Sequence, residues 1–571
     1  MSDPLTRLAI VYGTDKFGYH DYTPNYHKLF AHLRDSPVRM MEIGVGGYGD
    51  SDRGGQSLEV WRDYFPQGEI TGIDIQKKVM DLGPRVRILQ GSQVDEAFLR
   101  TVEAERGPFD IILDDGSHRN EHVVESFRIL FPTLKAGGIY AVEDVQTSFF
   151  PRFGGSITLD APNSVGLFAR LMRSLDGDHP EVADIVAIER FHNIVVAHKR
   201  SAGGQEPDMF ASPIFEAVAG PSAKVLVVGD TGFDAGCLPF ATGSVAHVAT
   251  LTAGAPALDG FDVVILSVSG DGAEAVAAIE TALAGMRDDS VLAVRCTGGL
   301  SGFGAEGAVM DYAARRFVEV DHREIAVNFP TYDCAPIAKS IYAIERFRGG
   351  LIFRKAANDY PSNVAFDPDH PGAARALALM EAVLDGEAKE GGLVTYADMI
   401  IRLRSRESAS ALIERLTAIG ATSRRYFLMA IAQAKGARDH EEALRISEKA
   451  LEHFPNDPQF VTWLADALVG LHDLDRAERE LRSLLEIDPR ARTAVAGLTR
   501  VLSIKGALEE AATLTRKTMS LFPAAGRVAR FRFLASLLRR MNDPEGAEAA
   551  MAAALEWEEK AASKAAAAKP A

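Results

Sequence analysis

The sequence predicts an α/β protein with an all-α extension: two doubly wound α/β parts followed by helical repeats. Three observations predict this class. Short β-rich runs alternate with helical stretches up to about residue 200, a second such series follows, and the chain after about 373 is Ala-, Leu- and Arg-rich with helical periodicity. A chain of 571 residues is also too long for one hydrophobic core. We predict a first α/β part (1–200), a second α/β part (221–356), a repeat region (373–560) and a disordered tail (561–571).

The first α/β part is predicted to be a mostly parallel sheet with helices on both faces. Its strand candidates are β-rich, 6 to 10 residues long and separated by helical stretches, which is typical of such a sheet. They lie at 38–45, 68–75, 86–91, 109–115 and 137–144, with a final pair in VADIVAIERF and NIVVAHK.

The second α/β part reads as a shortened copy of the first. AIERF occurs at 187–191 and again at 343–347, each time downstream of an FD-hydrophobic run and ahead of an apolar strand. Where the first part has carboxylates after its central strand, FDVVILSVSG carries Ser267 and Ser269. We therefore expect a degenerate, non-catalytic copy with a structural or dimerising role, so that a homo-oligomer is a further expectation.

The repeat region has a fixed period. Pro455, Pro489 and Pro523 recur every 34 residues, and the alanines of EEAL, DRAE and EEAA keep the same step. This pattern resembles tetratricopeptide repeats (TPR), although most of their large aromatic residues are absent. Because repeat arrays present a concave surface, we expect a protein partner there.

Composition excludes several classes of partner. The formal net charge is −17, which disfavours nucleic acid and anionic membrane surfaces. Three widely spaced cysteines indicate a reducing compartment, and no apolar run reaches the roughly 18 to 20 residues of a membrane span. The start of the chain lacks the features of a signal peptide, so we expect a cytoplasmic protein.

A glycine-rich loop, EIGVGGYGD, follows the first strong strand. Glycines let the backbone turn tightly and approach a ligand, and an acid at the end of the next strand, Asp74, suits a ribose diol. We predict that this loop binds S-adenosylmethionine rather than NAD.

Carboxylates end two consecutive strands. Asp114 and Asp115 close one, and Glu143 and Asp144 close the next. Neighbouring strands lie about 4.8 Å apart, so these side chains can converge, and clustered carboxylates favour a hard cation such as Mg²⁺. We predict Asp115, Glu143 and Asp144 as ligands, with Asp114 facing the cofactor or supporting the loop. Solvated strand ends or helix caps are the alternative.

His118 follows this cluster and is predicted to be a general base, because an imidazole takes up a proton near neutrality. His122 is the fallback. Tyr22 and Tyr26 lie in an aromatic, polar segment that suits a sugar site, with packing as the alternative reading.

Eight motifs together resemble the macrolide-sugar O-methyltransferases, over about residues 5 to 200. They are GTDK, YTPNY, EIGVGGY, GGQSLEVWRDYFP, GIDI, FDIILDDGSH, GGIYAVED and FFPRFGG. The resemblance implies a Rossmann-like class I methyltransferase fold, S-adenosylmethionine as methyl donor, Mg²⁺ as cofactor and a sugar hydroxyl as acceptor.

The resemblance also assigns residues. It implies Asp115, Glu143 and Asp144 as metal ligands and His118 as base. The expected cofactor contacts are Thr14, Asp15, Glu42, Gly44, Gly46, Gly47, Ser57, Asp74, Gly91, Gln93 and Asp114, with Tyr22 and Tyr26 toward the substrate. Ser92 stands where the family commonly has an acid. Because the second α/β part and the repeats lie outside the resemblance, the acceptor is left open between a glycosylated metabolite and a surface glycan or its lipid-linked precursor.

Two other classes stay open at this stage. A metal-dependent hydroxylase also uses carboxylates and histidine, and a repeat scaffold with two relic α/β parts needs no catalysis. Binding of S-adenosylmethionine separates both from a methyltransferase.

Overall fold

The structure is a computed structural model that describes residues 2–159, 162–175, 180–203, 209, 222–229, 242–248, 251, 257–296, 305–348, 350–356, 371–405 and 407–567. The chain forms two compact units, Met1–Met399 and Ile400–Ala571, and we call the latter the repeat unit. Within the described residues, no helix combines the length and the hydrophobicity needed to traverse a lipid bilayer.

The first α/β part alternates strands and helices as its sequence predicts. Its strands are β1 (Arg39–Ile43), β2 (Glu69–Asp74), β3 (Val86–Gln90), β4 (Ile111–Asp114), β5 (Ile139–Glu143), β6 (Ile185–Phe191) and β7 (Ile194–Lys199). Its helices are α1 (Pro4–Tyr12), α2 (Thr23–Phe30), α3 (Gln56–Tyr64), α4 (Glu96–Arg106), α5 (Asn120–Leu130) and α6 (Ser164–Arg173). Strands β1 to β5 pair in parallel, and β7 joins β5 antiparallel.

The second α/β part repeats this arrangement. Its strands are β8 (Ala223–Val228), β9 (Thr242–Val248), β10 (Val263–Val268), β11 (Val291–Cys296), β12 (Ile341–Phe347) and β13 (Gly350–Lys355). Its helices are α7 (Gly272–Gly285), α8 (Ala305–Glu319) and α9 (His322–Asn328), and α10 (Pro371–Gly386) and α11 (Glu390–Leu403) follow. The sequence analysis missed β9.

The described strands form one sheet of thirteen, in the order β3-β2-β1-β4-β5-β7-β6-β12-β13-β11-β10-β8-β9. Read outward from its centre, each half has the same order, and among the described residues no strand of the second half corresponds to β3. The two AIERF segments pair antiparallel with Glu189 opposite Glu345, so a pseudo-twofold axis passes between these residues. The sheet is thus continuous across the predicted boundary at 200–221.

The core of this unit consists of two apolar layers, one on each face of the sheet. Successive strand residues alternate between the layers, as Met40 and Met41 do, because side chains along a strand point to opposite faces. Both layers run through both α/β parts. This shared core confirms the predicted α/β class and buries the strands on both sides.

The repeat unit is all α-helical, as predicted. Its helices are α12 (Ser410–Ala418), α13 (Arg424–Gly436), α14 (His440–His453), α15 (Pro458–Gly470), α16 (Leu474–Ile487), α17 (Arg492–Lys505), α18 (Leu508–Lys517), α19 (Ala524–Arg540) and α20 (Pro544–Ala567). The periodic alanines Ala443, Ala477 and Ala511 are fully buried, which allows neighbouring helices to pack closely. Helix α20 extends to Ala567, into the segment predicted to be a disordered tail, and 568–571 lie outside the described residues.

Candidate active site

A cavity of about 700 Å³ opens at the carboxyl ends of β1, β2 and β4. This is the edge at which open α/β sheets bind ligands. Eleven of the predicted site residues line it: Thr14, Asp15, Gly44, Gly46, Gly47, Ser57, Asp74, Gly91, Gln93, Asp115 and His118. Glu42, Asp114, Glu143, Asp144, Tyr22 and Tyr26 do not line it and lie beneath or beside it.

The glycine-rich loop forms one wall of this cavity. Gly44 has φ +96°, and a Cβ at this position would overlap the backbone carbonyl of Asp115, so only glycine fits. The ammonium group of Lys78 donates to the carbonyls of Tyr48, Asp50 and Arg53 at 2.7, 2.8 and 3.2 Å. The glycine conformation and the hydrogen bonds of Lys78 therefore fix the conformation of the loop.

Asp74 stands at the end of β2, next to the glycine-rich loop. Its carboxylate accepts the N–H groups of Val45 and Gln76 at 3.0 and 2.7 Å, which fixes its orientation in the cavity. Each oxygen retains a lone pair that a diol can use. The role of Asp74 in binding a ribose stays a prediction.

Asp114 points away from the cavity and supports the loop after β4. It is 1% exposed and accepts hydrogen bonds from Ser126 Oγ at 2.6 Å and from Gln93 Nε2 at 3.1 Å. Burial raises the pKa of Asp114 to about 6, against the stabilising hydrogen bonds of Ser126 and the Gly116 N–H. Of its two predicted roles, the structure favours support over direct contact with a cofactor.

Glu42 is also fully buried behind the cavity wall. Its Oε2 accepts Ser57 Oγ at 2.9 Å and Trp61 Nε1 at 3.2 Å, and its Oε1 lies 3.2 Å from the Lys16 ammonium. Burial raises the pKa of Glu42 to about 7, while Lys16 opposes that rise. Glu42 therefore connects the glycine loop and α3 to the carboxylates further along the sheet.

Lys16, the last residue of GTDK, is the cation of the carboxylate cluster. Its ammonium is 2% exposed and lies 2.7 Å from both Asp115 Oδ2 and Glu143 Oε2. Burial alone would lower the pKa of Lys16, but Asp115, Glu143 and Glu42 outweigh it and hold the pKa well above its ordinary value. Of this motif, Thr14 and Asp15 are the predicted cofactor contacts, and Lys16 has no predicted role of its own.

Lys16 leaves one part of the cluster free for a metal ion. Ligand atoms of Asp115, His118 and Asp144 all lie within 4.8 Å of one another, and His118 Nε2 is 3.6 Å from Asp144 Oδ2. Glu143 is not part of this group: its Oε2 pairs with Lys16, and among the described residues its buried Oε1 makes no hydrogen bond of normal geometry. Carboxylate oxygens fit Mg²⁺, so Asp115 and Asp144 suit the predicted ion, and Glu143 as a ligand stays a prediction.

Asp144 is held in an unusual backbone conformation, with φ +53°. Its Oδ1 accepts the Tyr22 hydroxyl at 2.6 Å and the Asn193 amide at 3.0 Å. Burial would raise the pKa of Asp144, but His20, His118 and the Tyr22 hydroxyl outweigh it and hold that pKa below its ordinary value. Asp144 is therefore ionised and oriented near neutral pH.

The two tyrosines predicted to meet the acceptor are inside the protein. Tyr22 is 2% exposed and bonded to Asp144, and Tyr26 is 0% exposed, packed against Phe30 and Trp61. In this structure their surfaces are covered, because α2 packs its aromatic face onto α3. Tyr22 acts on the site through Asp144.

His118 precedes α5 rather than beginning it. Its φ is +54°, and the helix starts at Asn120. This turn directs the imidazole toward both Asp115 and Asp144 while leaving it in the cavity wall. His122, the fallback, lines the same cavity and bonds Ser117 Oγ at 2.8 Å.

Two residues of the site were not predicted from the sequence: Lys16 and Asn193. Lys16 had no local signal, because the sequence does not show that the loop after α1 reaches the carboxylates. Asn193 had only the weak signal of a two-residue hairpin turn, His192-Asn193, which favours asparagine at a left-handed position.

Comparison with known proteins gives relatives for two parts of the chain. A tetratricopeptide repeat family model matches residues 434–502. The 8-demethyl-8-(2-methoxy-α-L-rhamnosyl)-tetracenomycin-C 3'-O-methyltransferase of Streptomyces olivaceus is 43% identical over 217 residues, covering 36% of this chain and 56% of that protein. The mycinamicin VI 2''-O-methyltransferase of Micromonospora griseorubida is 39% identical over 210 residues, covering 34% and 52%.

A solved structure is also similar. The MycE methyltransferase of mycinamycin biosynthesis, in complex with Mg, SAH and mycinamycin VI, is 40% identical over 36% of this chain and 57% of its own, with a TM-score of 0.33. The resemblance to sugar O-methyltransferases is thus confirmed at the level of sequence. The chain spans about half the length of the curated relatives it matches.

Proposed function

We propose that this chain is a Mg²⁺-dependent O-methyltransferase that moves a methyl group from S-adenosylmethionine to a sugar hydroxyl. One observation carries the proposal: the cavity that contains the glycine loop and Asp74 also contains Asp115 and His118. A methyl-donor site and a carboxylate–histidine group therefore share one space. Relatives at 39 and 43% identity that are named as O-methyltransferases of glycosylated compounds support it.

The glycine loop and Asp74 would hold S-adenosylmethionine. The cofactor supplies an activated methyl group on a sulfonium, so the protein needs only to orient an oxygen nucleophile toward it. Asp74 has lone pairs for a ribose diol, and the backbone around Gly44 and Gly47 is open enough for close approach. Buried Glu42 fixes this wall through Ser57 and Trp61.

Asp115 and Asp144 would hold Mg²⁺, and Glu143, whose Oε2 pairs with Lys16, is the predicted third ligand. The ion would lower the pKa of a bound sugar hydroxyl and orient it. Lys16 keeps the Asp115 and Glu143 carboxylates in place through Oδ2 and Oε2, so the remaining oxygen of each is available. One oxygen of each carboxylate would thus contact the Lys16 ammonium, and the other could contact the ion.

His118 would accept the proton of the sugar hydroxyl at Nε2. That atom lies 3.6 Å from Asp144 Oδ2 and 3.9 Å from Asp115 Oδ1, and both carboxylates stabilise the imidazolium that forms. The carboxylates thus serve twice, as oxygen ligands and as partners of the base.

The acceptor is a glycan or glycosylated metabolite. The relatives are named for methylation of rhamnosylated tetracenomycin C and of mycinamicin VI, which are small glycosides. The second α/β part and the repeats provide further surface on which this chain could bind other molecules. The TPR match at 434–502 supports a protein partner on the repeat unit.

The proposal is tested with labelled S-adenosylmethionine and a rhamnosylated acceptor. We expect methyl transfer to fall by roughly 100-fold or more in EDTA and in Asp115→Ala, because hydroxyl activation by the ion is lost. The matched control is Glu121→Ala, an exposed carboxylate near the same cavity that pairs with Arg119. It should retain wild-type transfer.

Calorimetric binding of S-adenosylmethionine separates the alternatives. A repeat scaffold or a hydroxylase should bind none, whereas we expect the wild type and Asp115→Ala both to bind it. Undiminished transfer in EDTA would contradict the role of the metal, and absence of binding would contradict the whole proposal.

A further inference from the structure

The β6–β7 turn connects the candidate metal site to the second α/β part. Its second residue, Asn193, is 2% exposed and has φ +61°. The side-chain Nδ2 donates to Asp144 Oδ1 at 3.0 Å and to the Tyr22 hydroxyl, and Oδ1 accepts the Gln146 N–H at 2.9 Å. All polar atoms of this amide thus face the segment around Asp144.

The second α/β part fixes this turn through one buried carboxylate. Asp321, immediately before α9, is 0% exposed. Its Oδ1 accepts the backbone N–H of Asn193 at 3.0 Å, and its Oδ2 pairs with the fully buried guanidinium of Arg190. A buried ion pair that is also hydrogen-bonded holds its partners in one geometry, and removing either partner leaves a charge in the core.

The contacts divide the two oxygens of Asp144 between different tasks. Oδ1 is occupied by Asn193 and Tyr22, whereas Oδ2 makes no hydrogen bond among the described residues and faces His118 at 3.6 Å. Asp144 also sits in a left-handed backbone conformation, which a non-glycine residue adopts only when its surroundings hold it there. Asn193 is therefore placed to decide which oxygen is presented to the metal position.

A second contact supports α2 from the same side. The Tyr342 hydroxyl, at the start of β12, donates to Asn25 Oδ1 on α2, the helix whose N-terminus follows Tyr22. Thus both side chains that hold Asp144 Oδ1 are themselves supported by the second α/β part. At the end of β10 in that part, Ser267 stands where the first part has a carboxylate after β4.

We propose that the second α/β part is a positioning element of the metal site: Asp321 fixes the Asn193 turn, and Asn193 orients Asp144 so that Oδ2 faces the ion. The inference rests on the proposed metal-dependent function. The second α/β part, the degenerate copy, would then have a function: it would hold one metal ligand of the first α/β part in place. Outer-shell partners of metal ligands contribute strongly to metal affinity.

The test measures Mn²⁺ binding to the full chain by electron paramagnetic resonance, without acceptor. Asn193→Gly keeps the left-handed turn and removes the amide, and we expect about tenfold weaker Mn²⁺ binding and an altered Mn²⁺ spectrum. Asp321→Asn should weaken binding in the same direction. In the double variant the losses should be less than additive, because Asp321 acts through Asn193.

Glu324→Gln is the matched control. Glu324 lies on α9 three residues after Asp321, is buried, and approaches His192 rather than Asn193. We expect it to bind Mn²⁺ as the wild type does. Thermal unfolding of each variant shows whether it is still folded. If Asp321→Asn is unfolded, Asn193→Gly alone still tests the inference.

The outcomes are distinguishable. Wild-type affinity and spectrum in Asn193→Gly, together with loss of Mn²⁺ in Asp115→Ala, would overturn this inference alone. Absence of Mn²⁺ binding by the wild type would overturn both the inference and the metal role in the proposed function.

Discussion

At the scale of single residues, Lys16 solves the electrostatic problem that the carboxylate cluster poses. Glu42 and Glu143 are buried and Asp115, whose side chain is 26% exposed, lies beside them, which is costly unless a positive charge lies among these carboxylates. The Lys16 ammonium reaches all three within 3.2 Å. The cluster is thus stable in the folded chain before any ion binds.

Replacing Lys16 should expose this dependence. Lys16→Met has a similar length and no charge, and we expect the first unit to lose about 3 to 5 kcal/mol of unfolding free energy, since uncompensated carboxylates stay buried. Urea unfolding followed by Trp61 fluorescence measures it. The control Lys135→Met removes a partly exposed partner of Asp110 and should cost roughly 1 kcal/mol or less. Equal losses in the two variants would contradict the role of Lys16.

The candidate site was partly readable from the sequence because its residues follow strands. The ends of β4 and β5 gave Asp115, Glu143 and Asp144, and the loop after β1 gave the glycines. Lys16 could not be placed, because nothing local shows that α1 brings its C-terminal loop to a carboxylate 99 residues away. Asn193 depends likewise on a strand turn meeting the end of β5.

At the scale of elements, apolar runs predicted the buried strands well. The exception is β9, TGSVAHV, whose glycine, serine and histidine break the apolar pattern because it is an edge strand with partly exposed residues. Repetition of AIERF predicted a copied part. The two copies also pair with each other, with Glu189 opposite Glu345. The repeated sequence alone does not predict this pairing, because it belongs to the tertiary structure.

Helix α9 contains a buried acid with a testable pH signature. Burial raises the pKa of Glu324 to about 8, and neighbouring Asp321 adds to the rise. The folded chain therefore binds this proton more tightly than the unfolded one, and the stability it gives, complete below the ordinary pKa of 4.5, is lost as pH rises through 8.

Glu324→Gln should remove that dependence. At pH 8 to 9 we expect the variant to melt about 2 °C or more above the wild type, with the difference shrinking toward pH 5, where both side chains are neutral. Differential scanning calorimetry across this range measures it. Glu121→Gln, an exposed acid, serves as control and should show no such trend. A constant difference at all pH values would contradict the assignment to Glu324.

At the scale of the whole molecule, the two units are stabilised in different ways. The unit Met1–Met399 shares one sheet and its two apolar layers, so its α/β parts depend on each other. The repeat unit is a stack in which each helix pair packs mainly on its neighbours, with the 34-residue alanines at the closest contacts. A local change in the stack is therefore expected to stay within it.

Ala477→Leu tests this separation. Ala477 is fully buried against Leu481 and its neighbours in the repeat core, and overpacking at such a position costs about 1 to 3 kcal/mol. We expect the helical circular dichroism of the repeat unit to be lost at lower urea concentration. Trp61 fluorescence is measured in a background with Trp463→Phe and Trp557→Phe, in which Trp61 is the remaining tryptophan. Its urea midpoint should be unchanged, because Trp61 lies in the first unit. Ala549→Leu, at an exposed position of α20, should change neither signal. If the Trp61 midpoint fell with the helical signal in Ala477→Leu, the two units would unfold as one, and the expected separation would be wrong.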